Sequence, residues 1–342
     1  MVELNGKKIL VTFLMHLGDL TLTTPFIHAL RKAAPDAHIT MLVDEKLKDV
    51  VLFNPYLDEV VTIDKKGRDN SILSLWACSR HLSKLDFDVL INLHPNERCS
   101  FIDAMTSVKL RTGTTHKIFK WFWDVFTPLD RSMHAADMYL DVLQQLGVQD
   151  LSNNGLEIFP GEEHFLEAEL FWQEQNITDQ DKLIGFNIGS AVPTKRWPPE
   201  RFAEVADIFA AKGYKTVFFG GPMDEEMVAE ATGYMQTRSI IATGHFAIGG
   251  LAAAMRRCCL IITNDSGPMH VAISQKVPIV AMYGPSNPKL YGPYTKDAVI
   301  VTAQPPCQGC ADGMKHSCDD LQCMSRMTVE QVVAAADTML NK

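Results

Sequence analysis

The chain has 342 residues, of which 46% are hydrophobic and 21% are charged, and this composition excludes the disordered and fibrous classes of protein. A single hydrophobic core stops growing at roughly 250 to 300 residues, so we expect two domains. The net charge of −9 argues against general nucleic-acid binding, which needs a clustered basic surface.

The first apolar run, residues 9–15, is ended by His16, Gly18 and Asp19. It is too short for a signal peptide or a membrane span, and no other segment reaches the roughly 18 apolar residues that a spanning helix needs. We therefore expect a cytoplasmic protein whose eight cysteines are reduced or bound to metal.

Short apolar runs alternate with segments of helical spacing along the first half of the chain, and after the turn-rich segment 153–161 the same alternation begins again. Strands that alternate with helices indicate parallel sheets. The pattern predicts two α/β units in tandem, joined near residues 153–162. The predicted strands are 9–14, 38–43, 59–63, 89–93, 183–187, 216–219, 260–263 and 279–283. The predicted helices follow Gly18-Asp19 and cover 45–53, 72–85, 163–175 and 199–212, with another from Asp224.

Polar motifs follow several of these strands, where open parallel sheets bind ligands. After the first strand, Asp19 follows Gly18 at the start of a helix. A carboxylate here can take a proton from a hydroxyl group as a general base. The alternative is that Asp19 only caps the helix.

In the second half, Ser190 and Lys195 follow the strand 183–187. A hydroxyl, a flexible backbone and a cation after a strand suit phosphate binding. A solvated Lys195-Arg196 pair on an ordinary loop is the alternative.

The segment Thr263 to His270 follows another apolar strand and opens a helix. The amides of Ser266 and Gly267 at a helix N-terminus favour an anion, Asp265 can accept hydrogen bonds from sugar hydroxyls, and His270 can face the same ligand. The alternative is a capped helix with a packed histidine. Neither the glycine-rich dinucleotide fingerprint nor the phosphate-binding loop of nucleotide hydrolases follows a strand in this chain.

The Gly18-Asp19 turn, the loop Thr194 to Pro198, the loop Asn264 to His270 and Tyr283-Gly284-Pro285 occur in an order that resembles the ADP-heptose:lipopolysaccharide heptosyltransferase family. The resemblance implies an α/β protein of the GT-B fold, with two Rossmann-like domains whose parallel sheets face an interdomain cleft. Residues 1–160 would then bind the acceptor and residues 161–342 the sugar-nucleotide donor. In such folds the last helix, here from Thr328 to Leu340, can pack back on the first domain.

The same resemblance implies roles for individual residues. Asp19 matches the catalytic base and Lys195 the cation at the donor phosphates. Asp265 matches the carboxylate that binds heptose, and the remaining matches lie around the donor diphosphate: Ser190, Ser266, Gly267 and His270. The acidic residue that some members use for adenosine is not evident around Met223.

The implied reaction is an inverting transfer of heptose from ADP-heptose to the lipopolysaccharide inner core, with no cofactor required. Two alternatives stay open: a GT-B enzyme that uses another nucleotide sugar, and a noncatalytic protein that binds one. The second would not need Asp19.

Four cysteines near the C-terminus, Cys307, Cys310, Cys318 and Cys323, have the spacing C-x2-C-x7-C-x4-C. The first pair has ligand spacing, but a zinc site usually closes with a second short pair. Structural zinc, free thiols and a disulfide remain alternatives here, and we expect free or packed thiols.

Residues 109–123 form a basic segment rich in aromatic residues, with Lys117 and Lys120 beside Trp121. Cationic and aromatic side chains together hold proteins at anionic membranes. The segment is therefore a candidate for peripheral contact with the cytoplasmic face of the inner membrane. A helix with buried aromatic residues and solvated lysines is the alternative.

Overall fold

The computed structural model describes residues 2–303, 318 and 321–342. The chain divides into two compact units, residues 1–159 and 160–342. The division falls between Phe159 and Pro160, at the end of the turn-rich segment. Within the described residues each unit has one six-stranded parallel sheet with helices.

The sheet of the first unit has the strand order β3-β2-β1-β4-β5-β6, which is the Rossmann order. Successive strands are added toward one edge of the sheet from β1 to β3 and toward the other edge from β4 to β6. The strand order therefore reverses between β1 and β4, and Leu10 of β1 pairs with Thr40 on one side and with Leu90 on the other. The strands are β1 Lys8–Thr12, β2 His38–Asp44, β3 Glu59–Ile63, β4 Val89–Asn92, β5 Leu110–Gly113 and β6 Val125–Phe126.

The helices of this unit begin where the sequence supplies a cap. Ser71 and Ser74 form a capping box at the start of α3, and the Asn96 side chain accepts a bond from Cys99 N at the start of α4. The helices are α1 Leu17–Thr21, α2 Thr24–Ala33, α3 Ile72–Ser83, α4 Glu97–Met105 and α5 Ala135–Gln145, with 3-10 helices at Glu45–Val50 and Lys117–Phe122.

The second unit repeats this architecture with the order β12-β11-β10-β7-β8-β9, so its reversal lies between β7 and β10. The strands are β7 Leu183–Asn187, β8 Lys215–Phe219, β9 Ile240–Ile241, β10 Cys258–Asn264, β11 Ile279–Met282 and β12 Ala298–Val301. The helices are α6 Glu162–Glu174, α7 Pro199–Ala211, α8 Glu225–Tyr234, α9 Ile248–Met255, α10 Gly267–Ser274, α11 Pro288–Tyr291, α12 Gln322–Ser325 and α13 Val329–Leu340, with 3-10 helices at Pro193–Lys195 and Pro222–Asp224.

The central strands of both sheets are apolar on both faces because helices cover each face. In the second unit, the fully buried rings of Phe186 and Phe218 stack with centroids 5.2 Å apart. Burial of such a side chain stabilises the fold by about 1.5 to 3 kcal/mol.

The last helix, α13, packs within the second unit. Its buried residues lie in the same core as Phe186 and Phe218, and they include Val332 and Ala336, which are fully buried. Its apolar face is therefore occupied by the core of its own unit.

The basic aromatic segment differs from the buried helix that was the alternative expectation. It forms strand β5 and then a short 3-10 helix with no buried residue. Trp121 is 95% exposed and Ile118 is 58% exposed, whereas Trp123 is buried and donates its ring N–H to Thr112 O. Trp121 and Phe122 therefore face solvent, whereas Phe119 is half-buried against the ring of Phe101.

Among the described residues, no helix combines the length and the apolar character that crossing a membrane requires.

Candidate functional site

The polar motifs of the second unit meet at the carboxyl edge of its sheet, beside the reversal of strand order. Asn187 ends β7, Asn264 ends β10, and Tyr283 follows β11. Because β7, β10 and β11 are adjacent, their loops lie next to one another. This is the position where Rossmann-like sheets bind their ligands.

Lys195 and Asp265 form an ion pair at this edge. Lys195 Nζ lies 2.8 Å from Asp265 Oδ2, and the two side chains are only 14% and 7% exposed. The hydroxyl of Ser286 donates to the same carboxylate oxygen. Because a partly desolvated pair of charges is stable only when it is well hydrogen-bonded, this cluster holds both side chains in defined positions.

A hydrogen bond from the Ser190 side chain joins the Lys195 loop to the Asp265 loop, and a bond from Arg196 braces the Lys195 loop itself. Ser190 Oγ donates to Asp265 O at 3.3 Å, and Arg196 Nε donates to Ser190 O at 2.8 Å. The alternative of a solvated Lys195-Arg196 pair is therefore wrong, since both cations make contacts within the unit.

The side chain of Asn264, at the end of β10, binds both ends of the loop that carries Lys195. Its Oδ1 accepts from Trp197 N at 3.0 Å, and its Nδ2 donates to Ile188 O at 2.7 Å. Trp197 is fully buried and donates its ring N–H to Met327 O at 3.1 Å. The loop that carries Lys195 is thus anchored at both ends.

Helix α10 begins at Gly267 with Ser266 at the N-cap position, but the Ser266 side chain does not cap it. Instead Ser266 Oγ accepts from Asn187 Nδ2 at 2.8 Å. Asp265 is paired with Lys195, so neither side chain has the capping role that was the alternative interpretation. His270 is buried in α10, at 4% exposure.

The Tyr283 side chain lies just after the carboxyl end of β11, at the same edge of the sheet. Its hydroxyl donates to Tyr291 O at 2.9 Å. Burial first, and then the neighbouring Asp265 carboxylate, raises the pKa of Tyr283 well above its usual value. Tyr283 is therefore a neutral donor at this site.

Asp224 is a buried residue of this edge that the sequence pattern did not reveal. Its Oδ2 accepts from Gly221 N at 2.9 Å. A side chain at Gly189 would place its Cβ 2.2 Å from Asp224 Oδ1, so the carboxylate lies against the loop after β7. The sequence feature that could have indicated Asp224 is the Gly220-Gly221-Pro222 turn after β8. A 3-10 helix begins at Pro222 and brings Asp224 back to the end of the strand.

In the first unit, Asp19 lies after β1, at the carboxyl edge of that sheet. It is the third residue of α1, whose N-cap is His16, and it is half-buried. The N-cap alternative for Asp19 is therefore wrong by position.

Beneath the same edge lies a buried carboxyl group, Asp103, on α4. Its Oδ2 accepts from Thr12 Oγ1 at 2.8 Å and from Asn92 Nδ2 at 2.6 Å. Burial raises the pKa of Asp103 to about 7, against the lowering effect of these hydrogen bonds. His94 lies close by. Burial first, and then the nearby Arg131 and His16, lower the pKa of His94 to about 4, so its side chain is neutral near neutral pH.

The cysteine motif lies partly outside the described residues, because Cys307 and Cys310 fall there. Cys323 is buried in α12 and Cys318 is half-buried. Across the part of the chain that the structure describes, no group of three His, Cys, Asp or Glu side chains is arranged to hold a metal ion.

Comparison with known proteins agrees with this architecture. The model of glycosyltransferase family 9 (heptosyltransferase) matches residues 75–318. A crystal structure of the family 9 glycosyl transferase from Veillonella parvula DSM 2008 is 53% identical, covers 99% of both chains and has a TM-score of 0.95.

Lipopolysaccharide heptosyltransferase 3 of Escherichia coli (strain K12) is 24% identical over 94% of this chain and 95% of its own length. The structure of E. coli ADP-heptose lps heptosyltransferase II, 21% identical with a TM-score of 0.82 over 98% of each chain, has the same fold. The expected GT-B fold and the expected family are both confirmed: this chain is a glycosyltransferase and belongs to glycosyltransferase family 9, the heptosyltransferase family.

Proposed function

We propose that this enzyme transfers heptose from ADP-heptose to the inner core of lipopolysaccharide, with inversion at the anomeric carbon. Family membership supports heptose as the sugar, and E. coli relatives that align over most of their length are named for the lipopolysaccharide acceptor. The observation that carries the proposal is the Lys195–Asp265 pair, held at the carboxyl edge of the second sheet beside the N-terminus of α10.

The second unit would bind the donor. The ammonium group of Lys195 and the amides of Ser266 and Gly267 favour the diphosphate, because a cation and a helix N-terminus both stabilise negative charge. Asp265 would accept hydrogen bonds from heptose hydroxyls while Ser286 and Lys195 hold it in place. Ser190 and His270 complete the proposed donor site.

The first unit would bind the acceptor and supply the base. Asp19 takes the proton from the acceptor hydroxyl as that oxygen attacks the anomeric carbon. The bond from the anomeric carbon to the phosphate oxygen breaks on the opposite side, and ADP leaves with the electron pair. Lys195 and the amides of α10 stabilise the charge on the departing diphosphate, so the scheme requires no cofactor.

Replacement of Lys195 tests the donor site. We expect Lys195→Ala to lower kcat roughly 10²- to 10³-fold and to weaken donor binding, because a preorganised charge at the leaving group is lost. Release of ADP measures turnover. Lys212→Ala is the matched control, since Lys212 pairs with Asp337 at 2.6 Å on the exposed surface of the same unit. If Lys195→Ala retains wild-type kcat and donor affinity, the proposed site is wrong.

We further propose that the first unit contacts the cytoplasmic face of the inner membrane, where a lipid-linked acceptor is embedded. Support comes from the exposed side chains of the 3-10 helix 117–122, among which Trp121 and Ile118 stand beside Lys117 and Lys120. This helix packs on α4, which also packs on α3. The first turns of α3 expose more apolar surface, at Ile72, Leu73 and Trp76. Exposed aromatic and cationic side chains together suit an anionic interface.

A further inference from the structure

The loop that connects β1 to α1 in the first unit leads into the helix that carries Asp19, and it is held by a lysine from a different part of the chain. Phe13 N donates to Leu42 O at the sheet, and His16 O accepts from Leu20 N at the start of the helix. Leu14 and Met15 lie between these two bonds. Their carbonyl groups therefore need partners from outside the ladder and the helix.

Lys65 supplies a partner for both carbonyl groups, and Asn96 Nδ2 adds a longer bond to Leu14 O at 3.5 Å. Lys65 Nζ donates to Leu14 O at 3.1 Å and to Met15 O at 3.0 Å, and it lies 3.1 Å from Asp44 Oδ2. An ammonium group has three N–H donors, so these contacts use all of them. The Lys65 side chain is only 13% exposed and that of Asp44 only 7%.

Both members of this pair are themselves fixed. Asp44 ends β2 and accepts from Lys46 N at 3.2 Å through its other oxygen. Arg98, on α4, donates to the backbone carbonyl of Lys65 and, at 2.8 Å, to Asn70 Oδ1. The ammonium group of Lys65 is thus held at one place at the strand ends, and the β1–α1 loop is tied to it.

We propose that Lys65, held by Asp44, is a positioning residue: through the β1–α1 loop it sets the place of α1, and with it Asp19, relative to the strand ends. The inference rests on the proposed role of Asp19 as the base. Lys65 would not contact the acceptor, because its three donors are used within the chain. Asp19 follows Met15 by four residues, with α1 as a short rigid connection, so a shift of the loop moves the carboxylate.

The test compares Lys65→Met with the wild type, in the presence and absence of Asp19→Asn. We expect Lys65→Met to lower kcat about 10- to 100-fold, since a displacement near 1 Å at a reacting group has an effect of this size. The KM for ADP-heptose should stay unchanged, and the acidic limb of the pH profile of kcat should move. In the Asp19→Asn background the same substitution should change the residual kcat less than about 2-fold, because residues that act as one unit are not additive.

Loss of Lys65 also leaves Asp44 buried without its cation, which destabilises the fold. The variant Lys65→Met with Asp44→Asn removes both charges, and we expect it to recover thermal stability while kcat stays low. Lys32→Met is the matched control, because Lys32 pairs with Asp150 on the surface of the same unit. It should keep the wild-type kcat and pH profile.

Two results would overturn the positioning role alone: a wild-type kcat for Lys65→Met, or a loss of equal size with and without Asp19→Asn. A wild-type kcat for Asp19→Asn would overturn both the base and the positioning role. If Lys65→Met does not fold, Asp44→Asn with Lys65 intact replaces it. A wild-type kcat and pH profile for that variant would likewise contradict the proposal.

Discussion

Two buried carboxyl groups, Asp265 and Asp103, lie at the carboxyl edges of the two sheets in different electrostatic surroundings. Asp265 has the Lys195 ammonium at 2.8 Å, whereas the hydrogen bonds to Asp103 Oδ2 come from neutral groups on Thr12 and Asn92. Sequence motifs predicted Lys195 and Asp265 because both lie in loops that follow strands, Asp265 directly after β10 and Lys195 eight residues after β7. They did not reveal Asp103, because its position depends on how α4 packs beneath β1 and β4.

Asp103 makes the stability of the first unit depend on pH. Its pKa is about 7 in the fold, above the ordinary 3.8, so the folded state holds the proton more tightly than the unfolded chain. Stability from this group is therefore fully present below about pH 4 and is lost progressively as pH rises to about 7. Asp103→Asn does not ionise, and we expect it to exceed the wild type by up to roughly 4 kcal/mol at pH 8, by about 1 to 2 kcal/mol at pH 5 and by little at pH 4.

Thermal melts of both proteins from pH 5 to pH 8 measure this difference. Asp130→Asn is the control, since the exposed Asp130 has a pKa lowered by hydrogen bonds from Ser132 and should give no gain at high pH. A difference between Asp103→Asn and the wild type that is constant with pH would show that Asp103 keeps one charge state throughout.

At the level of elements, long apolar strands were predictable and short ones were not. The predicted bounds of 59–63 and 183–187 match β3 and β7, whereas the two-residue strands β6 and β9 and the four-residue strands β5 and β12 were missed. These short strands bury too few residues to leave a recognisable pattern of apolar residues in the sequence. The predicted helix 45–53 is a 3-10 helix that ends at Val50, since Asn54 and Pro55 stop its extension.

Gly113 ends β5 at the carboxyl edge of the first sheet, where it pairs with Asn92 of β4. Its φ is +90°, and a Cβ there would lie 2.2 Å from Asn92 O, in the backbone of β4. Gly113→Ala combines an unfavourable backbone conformation with this clash, and we expect a loss of about 2 to 4 kcal/mol in the free energy of unfolding.

Urea unfolding of Gly113→Ala and Gly6→Ala separates the two contributions. Gly6 has a φ of +68° and no atom within 4 Å of its ideal Cβ, so its substitution should cost only the backbone strain of about 1 to 2 kcal/mol. Equal losses for the two variants would mean that β4 yields to the new methyl group.

At the scale of the whole molecule, two Rossmann-like sheets with their own cores divide the chain near Pro160. Chain length predicted two domains, and the alternation of strands and helices predicted an α/β unit in each half. This was possible because the burial of a strand or a helix leaves its own hydrophobic pattern in the local sequence. The sequence leaves open which unit α13 packs on, since an amphipathic C-terminal helix fits any apolar surface, and in the structure its buried residues lie in the core of the second unit.

Membrane contact is a property of the whole molecule that vesicles can measure. We expect the enzyme to sediment with phosphatidylglycerol vesicles and not with phosphatidylcholine vesicles. Replacement of Lys117 and Lys120 by Ser should weaken this binding about 10-fold or more, since each lysine near an anionic surface contributes about 1 kcal/mol. Tyr234→Ser, at an exposed residue of the second unit, is the control. Binding that survives loss of both lysines would rule out this surface.

Turnover with defined donors tests the proposed reaction most directly. The enzyme is incubated with a lipopolysaccharide inner-core acceptor and with ADP-heptose, UDP-sugars or GDP-sugars, and the product is identified by mass and by the configuration of its new glycosidic bond. We expect product from ADP-heptose alone, with inverted configuration, and its loss in Asp19→Asn. Product from a UDP- or GDP-sugar instead, a retained configuration, or full activity of Asp19→Asn would contradict the proposed heptose transfer.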